Sequence, residues 1–246
     1  MSRRVRLVVF LIGGGAVAAL LAIAFLSMPH FGRSEHLYRD LAVPAAVKHV
    51  TANVVSSVNF DQRGMDTFGE ETILIASVVG TAALLRPAKE ETERRVPDTG
   101  RTLGATRLVG YLMLPVSLVI GLDVVLHGHV TPGGGFQGGV VLATGLHLLY
   151  VSGSYPALDR LRPLELFDIV DGVGAATFAA VGLAGIAFAG SFLANVVSFG
   201  TFGALFSAGT VPILNVAVGM EVFAGIVAIL AKFLDQDITV VKEGDQ

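Results

Sequence analysis

Several ionisable residues of this chain stand where polar chemistry is costly. Glu221 lies inside a long apolar run, flanked by Asn215, Gly219 and Gly225. A carboxylate in such a place must find a partner, bind a cation or keep its proton. It therefore reads either as a proton or ion site or as a buried side chain bonded to backbone or to a neighbouring subunit. Asp123 and His127 are four residues apart and share one helix face, a pairing suited to a proton relay. His129 extends them into an H-x-H pair, but the sequence offers no fourth ligand, so local hydrogen bonding is favoured over zinc. His147 stands alone in its run; a satisfied interior histidine is the default reading, and a relay partner for Glu221 the alternative. Asp61, Arg63, Asp66 and Glu70 form a charged cluster before another apolar run. Thr67 and Glu70 fit a capping box there. Glu71 has no such explanation, and an ion-entry role competes with capping. Glu165, Asp168 and Asp171 open a further run, where complementing the helix dipole is the favoured reading.

The elements that must position these groups follow from composition. Of 246 residues, 53% are hydrophobic and 15% charged, with a mean hydropathy of +0.70, a balance of helical membrane proteins. There is no cysteine, which excludes disulfides, thiolate metal sites, cysteine-bound iron–sulfur clusters and cysteine nucleophiles. Crossing the hydrocarbon takes roughly 20 apolar residues. Six stretches approach that length: Val5 to Leu26, Thr67 to Leu85, Leu108 to Leu126, Gln137 to Val151, Leu166 to Phe188 and Val211 to Leu234. The expected fold is an all-α, polytopic membrane protein of six transmembrane helices. With both termini cytoplasmic, thirteen of the seventeen Lys and Arg fall on the inner side, as the positive-inside rule asks. The first run follows Arg3, Arg4 and Arg6 but is long for a signal core and lacks a small-x-small cleavage site, so it reads as an uncleaved span.

Between the first two spans, Val47, Val50, Val54 and Val58 recur at helical spacing. They suggest either an amphipathic surface helix or a solvated loop with some helix. The charged, proline-broken stretch 87–107 reads as a cytoplasmic linker between a two-span module, 1–86, and a four-span module, 108–246. The stretch His127 to Gly139, HGHVTPGGGFQGG, breaks the backbone between two apolar runs. Pro132 sets a turn, and Gly133, Gly134 and Gly135 permit close backbone approach. It reads as a hinge that starts the short fourth span inside the membrane, its amides available to water or to an anionic side chain; an interfacial turn is the alternative. No lysine lies within the interior of a span, Lys232 sitting at the cytoplasmic end of the last one, so a lysine-relay pump is not encoded. Walker, Gly-x-Ser-x-Gly and His-Glu-x-x-His motifs are absent. No metal, cofactor or nucleic acid is expected.

One pattern points to a family. Gly128-His129-x-x-Pro132-Gly133-Gly134-Gly135-Phe136-x-Gly138-Gly139 resembles the hallmark of the MnhB-like domain, the B subunit of the Mrp-type multisubunit Na+/H+ antiporters. The resemblance extends over Leu108 to Leu234. Upstream, Asp61-x-Arg63-x-x-Asp66-Thr67-x-Gly69-Glu70 is similar to the end of the large A subunit of the same antiporters. It is similar also to the E subunit of membrane-bound hydrogenases, with Gln62 where an aromatic or apolar residue is expected. The resemblance implies a fusion of two modules that works inside a larger complex in a prokaryotic cell membrane. It implies further that Glu70 and the acidic cluster line a cation path. On this basis the chain is expected to be a non-enzymatic subunit of a Na+/H+ antiporter, with Na+ and H+ as cargo and with other Mrp subunits and lipid as partners. Glu70, Glu71, Asp66, Asp123, His127, His147 and Glu221 are the path candidates. The alternatives are the membrane arm of a redox-driven complex such as a hydrogenase, and a purely structural subunit.

Overall fold

The structure, a computed structural model, describes residues 3–28, 32, 36–86, 102–153 and 155–234. Nine α-helices are described: α1 Arg3–Leu26, α2 Leu37–Lys48, α3 Val54–Ser57, α4 Gly64–Leu84, α5 Gly104–Leu126, α6 Gly135–Val151, α7 Tyr155–Leu161, α8 Leu164–Ala189 and α9 Val211–Leu234; a π-helical turn, Val58–Gln62, separates α3 from α4. The six expected apolar runs are all helical. Five, α1, α4, α5, α8 and α9, are long and apolar enough to cross a membrane, and α6 is shorter at 17 residues. A helix of that length rises about 25 Å, short of the ~30 Å hydrocarbon. The linker expected at 87–107 lies outside the described residues as far as 101, and α5 already begins at Gly104.

Two compact units divide the chain at Asp40. The first contains α1, whose residues are all exposed within the chain, as a helix facing lipid or another subunit would be. In the second, residues 41–86 belong to the same unit as residues 102–153 and 155–234. Its centre is α9, which packs against α8, α6, α4 and α5. A strongly apolar helix is thus the surrounded one. It also carries both polar residues, Asn215 and Glu221, that must be satisfied in that interior.

Connections 127–134 and 190–210 lie at one end of this bundle, here called the loop end. They are tied together there: His129 donates from Nε2 to the Leu205 carbonyl at 2.9 Å. The long 190–210 connection is itself folded, with Leu193 and Ala208 in the core and Asn195 Oδ1 accepting from the Thr210 amide at 2.7 Å. The single amphipathic helix suggested by Val47, Val50, Val54 and Val58 does not form. Instead α2 ends in a Schellman motif: the Thr51 amide bonds the Ala46 carbonyl at 2.9 Å and the Val50 amide bonds Val47 at 3.0 Å. Val50 takes the left-handed conformation, φ 58°, that glycine normally supplies at this position. The chain turns there, and Asn53 starts α3 by accepting from the Val55 and Ser56 amides.

The glycine-rich turn is built against α9. Gly133 and Gly134 have φ of 144° and 152°, backbone that side chains disfavour. Asn53 Nδ2 gathers three of the turn's carbonyls, Gly128 at 2.7 Å, Thr131 at 2.9 Å and Gly133 at 3.3 Å. The first amide of α6, Gly135 N, donates to Asn215 Oδ1 at 2.9 Å, and Asn215 Nδ2 donates to Ser56 Oγ at 2.9 Å. The expectation of amides open to water is therefore corrected at Gly135: its donor is consumed by a buried amide side chain. A helix end in an apolar interior has no water to cap it. A Cβ at Gly135 would come within 2.5 Å of the Asn215 carbonyl and 2.9 Å of the Gly219 amide, both backbone. Gly135→Ala is thus expected to wedge α6 from α9 and destabilise the fold by about 1–3 kcal/mol. Gly80→Ala, where nothing lies within 4 Å, is expected to stay within about 1 kcal/mol of wild type; thermal unfolding of the two variants in detergent checks the contrast.

Candidate functional site

Three carboxyl side chains from three helices occupy the interior of the second unit. Glu71, in α4, and Glu221, in α9, are 2% and 0% exposed. They interact with each other side chain to side chain, and none of their four oxygens has a partner of ordinary hydrogen-bond geometry. Asp171, in α8, is half-buried and its Oδ1 is likewise unpartnered. Glu221 sits at the boundary of two apolar clusters. Val218 and Val222 belong to the one at the loop end, with Phe60, Phe178 and Leu214. Ala224 and Val227 belong to the other, with Leu146, Leu149 and Phe167. The acidic layer is a polar seam between two greasy blocks.

Small residues make the seam possible. Gly174 of α8 faces Glu221, and a Cβ there would stand 2.7 Å from the Ala217 carbonyl and 3.0 Å from the Glu221 amide. This close crossing brings α8 and α9 together as small residues do in membranes. Each carboxylate thereby loses solvent without gaining a basic partner among the described residues. An uncompensated charge in such a setting costs several kcal/mol, so the Glu71–Glu221 pair has to keep a proton, hold a cation or meet a group of a neighbouring subunit. Among the described residues, no three His, Asp or Glu side chains converge tightly enough to cage a metal ion.

The remaining candidates are dispersed. Asp66 and Glu70 are exposed, and with Val58, Asn59, Arg63 and Thr67 they line an open pocket of about 210 Å³ beside the start of α4. Arg63 pairs with Asp66. The capping box expected of Thr67 and Glu70 is not formed. The helix begins three residues earlier, at Gly64, and Thr67 Oγ1 donates instead to the Asn59 carbonyl at 2.7 Å. Asp123 and His127 do meet, at 2.9 Å, with both side chains substantially exposed. His147 Nε2 is buried without a hydrogen-bond partner among the described residues, and the Arg162 charge acts on the ring. In the glycine motif, His129 is fully buried. Pro132 is exposed, Phe136 is half-buried, and Gly138 and Gly139 are buried against α5 and α9.

Two features escape a reading of the sequence. The helix-dipole role expected of Asp168 and Asp171 is corrected: α8 begins at Leu164, so its first turn holds only Glu165 and both aspartates lie beyond that turn. The spacing of Asp171 from Asp168 gives a signal, a second acid three residues into an apolar run. His49 carries no signal of its own. It contacts Asp61 through Nδ1 at 2.5 Å and stacks on Phe199 with ring centroids 4.8 Å apart, and no sequence pattern links these three residues.

Comparison with known proteins agrees with both resemblances. The family model for a domain related to the MnhB subunit of Na+/H+ antiporters matches residues 105–228, and the model for the E subunit of MBH matches residues 2–98. An uncharacterised protein of Methanocaldococcus jannaschii is 31% identical, covering 72% of this chain and 75% of the relative. A probable K+/H+ antiporter A/B subunit of Rhizobium meliloti is 29% identical over 73% of this chain but only 20% of its own length. Among solved structures, a chain of the membrane-bound sulfane sulfur reductase, an archaeal respiratory membrane complex, superposes with a TM-score of 0.70 at 26% identity, covering 94% of this chain and 98% of the other. A chain of the Mrp complex from Dietzia superposes at 0.68 and 25% identity, covering 98% of this chain and 27% of that one.

Burial pushes the His129 imidazole below its ordinary value of 6.5, against the opposing pull of its bonds to backbone carbonyls. Neutral His129 donates to Leu205, and protonation would leave a charge in a site that excludes water. Because the folded-state value is depressed, the unfolded chain takes up the proton first on acidification. The stabilising contribution is therefore intact above about pH 6.5 and is lost as pH falls through the lower folded-state value. His129→Gln is expected to be less stable than wild type at pH 8 and to show a shallower fall in melting temperature between pH 7 and pH 5.

Proposed function

We propose, from the premise that this chain belongs to the family of domains related to the MnhB subunit of Na+/H+ antiporters, that it is a membrane subunit of a monovalent cation/proton antiporter complex and that it supplies part of the proton path. The observation that carries the reading is the Glu71–Glu221 pair, two buried carboxyls on different helices with no other partner among the described residues. In an apolar interior such a pair has a favourable occupant in the proton, and losing or gaining that proton changes the local charge by one unit. Asp66 and Glu70, at the open pocket beside α4, gather cations or protons near the loop end. Asp123 and His127 form a second, exposed acid–imidazole pair at that end. The lysine and arginine distribution favours placing the loop end outside the cell and both termini within. The chain then acts by holding and passing ions, without bond-making chemistry on a substrate.

A second reading has its own support, since the chain spans 98% of a subunit of a respiratory complex. In that reading the same acids serve a redox-driven pump whose electron carriers lie in other subunits. The proteins that copurify decide between the two: large antiporter subunits alone favour the first, and iron–sulfur subunits the second.

In vesicles holding the assembled complex, Glu221→Gln and Glu71→Gln are each expected to reduce cation-driven proton movement at least about tenfold while copurifying with the other subunits as wild type does. Undiminished exchange in both variants would sink the transport role of the pair and leave a structural one.

A further inference from the structure

Asp171 has no part in the reading above. Its position relative to the acidic pair is fixed by two glycine contacts. Gly174, one turn along α8 from Asp171, faces Glu221, with a built Cβ 3.1 Å from the Glu221 Cβ. Gly225, one turn along α9 from Glu221, faces Asp171, with a built Cβ 3.7 Å from Asp171 Oδ1. The two helices cross in opposite directions here, so Asp171 lies about one helical turn, ~5 Å, from Glu221 toward the end at which α8 begins. Asp171 acts electrostatically on both Glu71 and Glu221. Asp168, one turn closer to that end, is exposed and acts on Asp171.

The other side of the pair is built differently. Phe68, one turn before Glu71 on α4, packs on Phe178 at 5.9 Å and on Phe192 at 5.4 Å. Phe60 joins Phe178 at 6.5 Å. Phe178 itself is one turn from Gly174 toward the loop end. An aromatic layer thus stands between the pair and the loop end, while a succession of acids leads the opposite way.

We propose that Asp171 is a proton-carrying residue that joins the Glu71–Glu221 pair to the membrane face at which α8 begins, through Asp168. The proposal rests on the proton-holding role inferred above for the pair. The step is a plain proton transfer: an O–H bond breaks at Glu221, one forms at Asp171, and the negative charge moves to Glu221. At this spacing one bridging water carries the proton between them. The charged groups that interact electrostatically with Asp171 are Glu221 from α9, Glu71 from α4 and Asp168 on its own helix, all of them acidic. Exchange with the loop side then has to pass around the aromatic layer, by way of the exposed face of α4 that carries Glu70.

The natural absence of cysteine from the chain gives a direct test. Asp171→Cys and Asp168→Cys are introduced into the assembled complex in sealed vesicles of known orientation. A cationic, membrane-impermeant thiol reagent is applied from one side at a time, and adducts on this chain are read by mass. Both cysteines are expected to react from the side on which α8 begins and to stay unmodified from the loop side. Reaction at position 171 from the loop side, or from neither side, overturns the proposal. Asp171→Asn is further expected to slow exchange at least about tenfold, and Asp171→Glu to restore most of it, with copurification of both as for wild type. Full exchange by Asp171→Asn, with Glu71→Gln and Glu221→Gln inactive, overturns this proposal and leaves the role of the pair standing. Full exchange by all three variants overturns both.

Discussion

An apolar slab offers no water to a backbone amide or to a carboxylate, and α9 is the helix on which both demands are met. One turn of it presents Asn215 to the first amide of α6 and to Ser56. About two turns further on, it presents Glu221 to Glu71. The first contact is fully satisfied and therefore rigid. The second lacks an ordinary partner and therefore has something left to bind. The two differ only in whether neighbouring groups complete the hydrogen-bond set.

That contrast explains why the glycine motif is structural here. Gly133 and Gly134 adopt backbone that other residues avoid, and Gly135 has no room for a side chain because α9 backbone passes within touching distance. The turn is then clamped from three sides: Asn53 on its carbonyls, Asn215 on its helix start and His129 on the far connection. A short α6 is the consequence, because its first turn is already inside the bundle. The rigid corner holds α5, α6 and α9 in register, and that register sets where Glu221 sits.

The acidic seam depends in turn on the close crossing of α8 and α9. A larger residue at Gly174 would move Glu221, and with it the contact to α4. The seam is a property of three helices meeting, and α4 comes from the part of the chain before residue 87. The match of that part to a separate family model is consistent with two modules joined in one chain, sharing one compact unit from residue 41 onward.

The sequence by itself determined the helices, the family and the individual acids. Apolar runs of span length can only be helices in lipid, and a carboxylate within one announces itself by its cost. Glu71 and Glu221 were legible for that reason, and Asp123 with His127 because a spacing of four is a local rule. What only the tertiary structure decided was pairing across the chain. Glu71 and Glu221 are 150 positions apart, and nothing in either run says that the two meet. Asp171 looks like an ordinary helix-start acid until the true start of α8 and the facing Gly225 show it turned inward. The break at Val50, the stack of His49 on Phe199 and the capture of Gly135 by Asn215 follow from contacts between distant segments. Local periodicity sets which face a residue occupies; packing alone sets what that face meets.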